Sequence, residues 1–80
     1  MKTYNGHRSW NAWNVSLWIC NDEPLYRFAM ECVSGINNNK RGLNFATRRF
    51  IEGLGNNKTP DGAVYNPLSV KLCLQGLLED

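Results

Sequence analysis

The chain has 80 residues, nine of them Lys or Arg and seven Asp or Glu, for a net charge of +2. Its length fits one domain, and no shift in composition divides it, so residues 1–80 are expected to fold as a single unit. The near-neutral balance excludes a polyanionic DNA mimic and is too low to make a strong nucleic-acid binder by itself. Where the charges lie therefore matters more than their sum.

A chain of this size buries only about 60 to 65% of the surface its unfolded form exposes, so its core must be efficient or completed by a partner. Three Trp, three Phe and three Tyr supply large apolar areas in few residues, and a homodimer would be a natural supplement. Cys20, Cys32 and Cys73 form an odd set without a CxxC spacing, which predicts reduced thiols and no disulfide scaffold. Residues 1–13 contain no apolar h-region and no small-residue cleavage site, so no signal peptide is expected. No apolar run approaches a membrane span, and the expectation is a cytoplasmic protein.

In chain order, Ser9 is an N-cap residue type placed before the run Trp10 to Ile19. Trp10, Trp13 and Leu17 recur at i, i+3 and i+7 and predict a first helix with these three on its core stripe, widened by Val15, Trp18 and Ile19. A strand is the rival reading, because Val15, Leu17 and Ile19 alternate with Asn14, Ser16 and Trp18. Asn21 or Asp22 ends that element and caps the next, with Glu23 and Pro24 at an early position. Leu25, Phe28, Ala29, Cys32 and Val33 then give a helical face over 23–33, with an i, i+4 pair between Arg27 and Glu31 on the other side.

Residues 34–40 are rich in turn formers and predict a surface loop. Leu43, Ala46, Phe50 and Leu54 restore the helical period over 43–54, with Gly55 as the stop. A second Asn/Gly-rich loop follows, in which Thr59-Pro60-Asp61-Gly62 suits a type I turn and Ala63-Val64-Tyr65 suits a short extended segment. Asn66 offers an N-cap and Pro67 the first position of a last helix over 67–78, whose apolar face is Val70, Cys73, Leu74, Leu77 and Leu78. The fold class is therefore mainly α: a small four-helix domain with Asn/Gly-rich connections.

Few groups in the chain carry chemistry. His7, Cys20, Cys32 and Cys73 lack the short spacings of a structural zinc site, and no oxyanion or activating element accompanies a Cys20/His7 pair. The glycines match no phosphate-binding loop. Neither metal, cofactor nor catalytic residue is assigned, and the chain is read as a binding protein and not an enzyme. The basic residues do concentrate: Lys40, Arg41, Arg48, Arg49 and Lys58 fall within residues 40–58, where Glu52 is the one acidic residue. On the third helix Arg41 and Arg48 stand seven residues apart, off the apolar face, and make a basic strip suited to phosphates or to an acidic protein surface. Core packing is the reading for Trp10 and Trp13, whereas Trp18, off their stripe, is the expected exposed anchor.

Residues 4–26, with the core Trp13-Asn14-Val15-Ser16-Leu17-Trp18-Ile19 followed by Asn21-Asp22-Glu23 and Leu25-Tyr26, resemble a family of small proteins of phages and mobile elements. The later Thr59-Pro60-Asp61-Gly62 turn and Leu68-Ser69-Val70 are similar as well, with less specificity. Pro24 stands where glycine is the commoner residue, and Cys20 where a polar one is. The resemblance implies an inhibitor of host defence acting in the host cytoplasm, in particular an anti-CRISPR protein that binds an effector complex and blocks its access to target DNA. The implied partner is a protein or ribonucleoprotein effector, and the residues that charge and expected exposure offer for meeting it are Lys40, Arg41, Arg48, Arg49, Lys58 and Trp18. A nucleic-acid-binding accessory module using the same strip is the alternative.

Overall fold

A computed structural model describes residues 9–36 and 40–79. Four helices account for most of them: α1 (Trp10–Asn21), α2 (Glu23–Val33), α3 (Lys40–Gly53) and α4 (Pro67–Glu79). Each helix packs on the next in chain order, α1 closes the ring against α4, and α2 also reaches α4 across the middle. The four-helix expectation holds, and the strand reading of the first segment does not.

Local chemistry explains the boundaries. Ser9, in extended backbone, accepts from the Ala12 amide at 3.1 Å and so satisfies one of the orphan donors at the start of α1. Asp22 serves two helices at once. Its N–H donates to the Trp18 carbonyl at 3.0 Å to close α1, while its Oδ2 accepts from the Leu25 amide at 3.1 Å to open α2. Pro24 falls in the first turn of α2, where its missing N–H costs nothing. Gly35, at φ 81°, turns the chain after α2 through backbone space that a side chain would strain. Asn66 Oδ1 accepts from the Ser69 amide at 2.8 Å and caps α4.

Three local expectations need correction. Arg27 pairs with Glu23 at 2.9 Å, not with Glu31. The acid four residues before the base is the better order along a helix, and Glu23 also meets the positive end of the helix dipole. Helix α3 begins at Lys40, the last residue of the expected loop, three residues before Leu43. Around α1, the buried residues are Ala12, Asn14, Val15 and Ile19. Trp10 is 40% exposed, and Trp13 and Leu17 are half-buried. By helical geometry the Trp10-Trp13-Leu17 stripe lies on the side of α1 opposite Val15 and Ile19.

The described residues share one hydrophobic core. Val15 and Ile19 of α1, Ala29, Cys32 and Val33 of α2, Leu43, Ala46 and Phe50 of α3, and Val70, Cys73 and Leu74 of α4 meet in it, joined by Ala63 and Tyr65 from the last loop. Phe50 is its centre: its ring stacks on Phe28 at 5.2 Å between centroids and meets the edge of Tyr65 at 6.5 Å. Aromatic pairs in such geometry add about 0.5–1.5 kcal/mol beyond the area they bury. Gly53 lies so close beneath Phe28 that a methyl group there would overlap the far edge of the ring.

The loop between α3 and α4 is held by α1. Thr59 O accepts from the Gly62 amide at 2.9 Å, closing the turn expected at Thr59-Pro60-Asp61-Gly62, with Gly62 at φ 95°. The expected extended segment reduces to one antiparallel bridge, Lys58 to Val64. Asn11, Asn14 and Trp18, at i, i+3 and i+7 on α1, form a polar stripe against this loop. Asn11 donates to the Val64 carbonyl at 2.8 Å and to Ser69 Oγ at 2.7 Å, and accepts from the Val64 amide at 2.8 Å. Buried Asn14 accepts from Thr59 Oγ1 at 2.6 Å and donates to Asp61 Oδ2 at 3.0 Å. Turning these two asparagines inward is what turns Trp10 outward.

Candidate binding face on the third and fourth helices

Helix α3 is amphipathic in the way its period requires, burying Leu43, Ala46, Thr47 and Phe50 and exposing Arg41, Asn44, Phe45, Arg48, Arg49 and Glu52. Thr47 can lie inside because its hydroxyl donates to the Leu43 carbonyl at 2.8 Å. The exposed face carries more than charge. Phe45 is 60% exposed, the most of any large apolar side chain described, and it stands on the same face as Arg41 and Arg48.

A groove of about 630 Å³ runs between α3 and the start of α4. Ile51 and Leu68 give it apolar walls, and Arg48, Glu52 and Lys71 supply its charges. Leu68 is 50% exposed there. A shallower hollow of about 470 Å³, lined by Arg41, Asn44, Phe45 and Arg48, shares Asn44 and Arg48 with the groove, so the two adjoin. Among the described residues, the side chains of Arg41, Arg48 and Lys71 make neither an ion pair nor a hydrogen bond. Three cations and one carboxylate therefore surround two exposed apolar side chains.

The residues singled out from sequence do not form one site. Arg41 and Arg48 fall on the face just described. Arg49 is exposed outside both hollows and faces α2, where its charge works against the upward push that burial gives the Cys32 thiol. Lys40 opens α3, and its side chain lies outside the described residues. Lys58 and Trp18 line a separate cleft of about 290 Å³ with Leu25, Leu54, Pro60 and Tyr65, and this cleft shares no residue with the groove. Trp18 is half-buried, with its indole N–H donated to Asp61 Oδ2 at 2.9 Å. Its role is to hold the loop together with Asn14. The same two donors, Asn14 first and Trp18 second, hold the Asp61 carboxyl below its ordinary value.

Phe45, Leu68 and Lys71 complete the face and were not assigned from sequence. Phe45 did leave a signal, an aromatic residue out of phase with the stripe Leu43, Ala46 and Phe50. The contribution of α4 left none, because the chain does not state which helices are neighbours. The cysteines behave as expected for small apolar side chains: Cys32 and Cys73 are buried, and burial pushes the Cys73 thiol up to about 12. Cys20 is exposed. His7, the other residue weighed for metal or nucleophilic chemistry, lies outside the described residues.

These features define a small four-helix domain with a grooved, cationic and partly apolar outer face. The chain belongs to the DUF7249 family, a family of unknown function, which it matches over residues 1–80. No curated protein and no solved structure matches it. No helix among the described residues is long and apolar enough to cross a membrane.

Proposed function

We propose that this protein is a phage or mobile-element inhibitor of host defence, an anti-CRISPR protein that works in the host cytoplasm by binding a CRISPR–Cas effector complex stoichiometrically and blocking its access to target DNA. It acts by occupancy, without catalysing a reaction. The observation that carries the binding reading is Phe45, 60% exposed beside Arg41 and Arg48 in a hollow that adjoins the groove lined by Leu68. An 80-residue chain has little apolar area to spare, and an exposed aromatic with cations around it is the composition of interface centres. The class of target comes from the resemblance of residues 4–26 to small phage proteins, supported by an effector's dependence on exposed nucleic-acid and acidic surfaces.

A second reading, a nucleic-acid-binding accessory module, is favoured by the same ring, since an exposed Phe between arginines can stack on a base while the guanidiniums meet phosphates. Capture with the tagged protein from a CRISPR-competent bacterial lysate, with and without nuclease, separates the two. An inhibitor retains Cas subunits at fixed stoichiometry after nuclease treatment. An accessory module retains nucleic acid, lost with nuclease and weakened steeply by salt.

A further inference from the structure

The groove between α3 and α4 differs from the α3 strip in ways that narrow the chemistry of its occupant. Its lining joins apolar Ile51 and Leu68 to the cations Arg48 and Lys71, one apolar residue and one cation from each helix. Glu52 stands inside it as well, an anion that a phosphate chain would have to pass. Two cations with a carboxylate in the same lining are a poor track for a polyanion, whose binding grows with the number of phosphates neutralised. They suit a segment that brings a few carboxylates together with an apolar side chain. At about 630 Å³ the groove holds a few side chains, the scale on which a helix or extended peptide seats its anchors.

We propose that this groove is the docking site for an acidic, amphipathic segment of the partner protein, which lays a bulky apolar side chain over Ile51 and Leu68 and sets carboxylates against Arg48 and Lys71. Phe45, in the adjoining hollow that Arg48 also lines, covers the next apolar position of the segment. The groove thus adds α4 to the docking surface and names the chemistry that it reads; in this it rests on the inhibitor reading above. The charge pattern also sets an orientation, because a carboxylate of the segment brought to Glu52 would be repelled, which favours one register over its neighbours.

The test is an amide-resolved NMR titration of the full chain with four probes: a short peptide of alternating leucine and glutamate, its lysine-for-glutamate counterpart, a glutamate-only peptide, and oligothymidylate. The leucine–glutamate peptide is expected to shift the amides of Arg48, Ile51, Leu68 and Lys71 and to bind most tightly. Leu68→Ser and Lys71→Glu should each weaken it by about fivefold to tenfold, the loss expected when one half-exposed apolar anchor or one charge contact is removed. Both positions are surface-facing, and an unchanged helical spectrum keeps the variants interpretable. Tighter binding of oligothymidylate, equal binding of the lysine peptide, or no shift in the groove with any probe overturns the proposal. So does a shift of the same amides on concentrating the protein alone, which would make a second copy the occupant. Capturing the effector with the Leu68→Ser/Lys71→Glu double variant keeps the two readings separable. If the unaltered chain captures no Cas subunits, the inhibitor reading fails whatever the peptide does; if it captures them and the double variant does so equally well, only the groove assignment fails.

Discussion

Replacing Asn14 by Ala tests whether the polar stripe of α1 holds the last loop in place. Asn14 is only 2% exposed, and its side-chain carbonyl is the acceptor for the buried Thr59 hydroxyl at 2.6 Å. Without it, that hydroxyl loses its acceptor inside the protein while still receiving the Ala63 amide at 3.0 Å. An orphaned buried hydroxyl costs about 1–3 kcal/mol, and the vacated space adds to that, so a loss of about 2 kcal/mol is expected. For a domain of this size such a loss lowers Tm by about 8–16 °C. Urea unfolding followed by far-ultraviolet circular dichroism should show a lower midpoint at an unchanged slope. In a double-mutant cycle, Asn14→Ala and Thr59→Val should be non-additive by about 1 kcal/mol, since either change removes the same hydrogen bond. A loss below about 0.5 kcal/mol, or strict additivity, would refute the stripe as the clamp of this loop.

Three further expectations follow from the same geometry. The Asp61 carboxyl is lowered in the folded protein by Asn14 and Trp18, so its contribution to stability is present above the unfolded value and lost as pH falls through the folded one. Acid titrations of stability should therefore fall less steeply for Asp61→Asn than for the unaltered chain, and parallel curves would contradict this. Among the three thiols, Cys20 is exposed while burial raises both Cys32 and Cys73, the latter to about 12. A chromogenic disulfide reagent at neutral pH should modify one thiol per native chain quickly and three after unfolding; fast reaction of all three in the native state would mean that the core is open. Gly53→Ala should destabilise the protein by about 1–3 kcal/mol by displacing Phe28 from its stack on Phe50, instead of stabilising it as Ala for Gly in a helix otherwise does.

Much of the fold could be read from the sequence because capping and period are local. Asp22 with Pro24 and Asn66 with Pro67 place the starts of α2 and α4 at the residues where they are found. The rotation of α1 could not be read this way. Its aromatic spacing points to Trp10, Trp13 and Leu17 as the core stripe, while the buried stripe is Ala12, Val15 and Ile19. Asparagine carries no burial signal, and the partners of Asn11 and Asn14 lie about 45 to 58 residues away, so the force that turns the helix is non-local. Trp18 was misplaced for the same reason: its partner Asp61 is 43 residues distant. For the site, charge patterning located Arg41 and Arg48 but could not separate them from Arg49 and Lys58, which face other parts of the surface. Leu68 and Lys71 join the face only because α4 lies beside α3.

The stripe also joins two segments far apart in the chain. The Asn14 and Trp18 positions of the Trp-Asn-Val-x-Leu-Trp-Ile stretch and the Asp61 of the later turn meet in one hydrogen-bonded cluster. That stretch is accordingly read as scaffold, leaving recognition to the exposed groups of α3 and α4.

The most direct test of the central claim is nuclease-treated capture of CRISPR effector subunits by the unaltered chain and by a Phe45→Ser/Arg48→Glu variant. Both positions are exposed, so the variant should unfold within about 0.5 kcal/mol of the parent. Retention of Cas subunits at fixed stoichiometry by the unaltered chain, and its loss from the equally stable variant, is the expected result. Capture of no effector by the unaltered chain, or equal capture by both, would contradict the account.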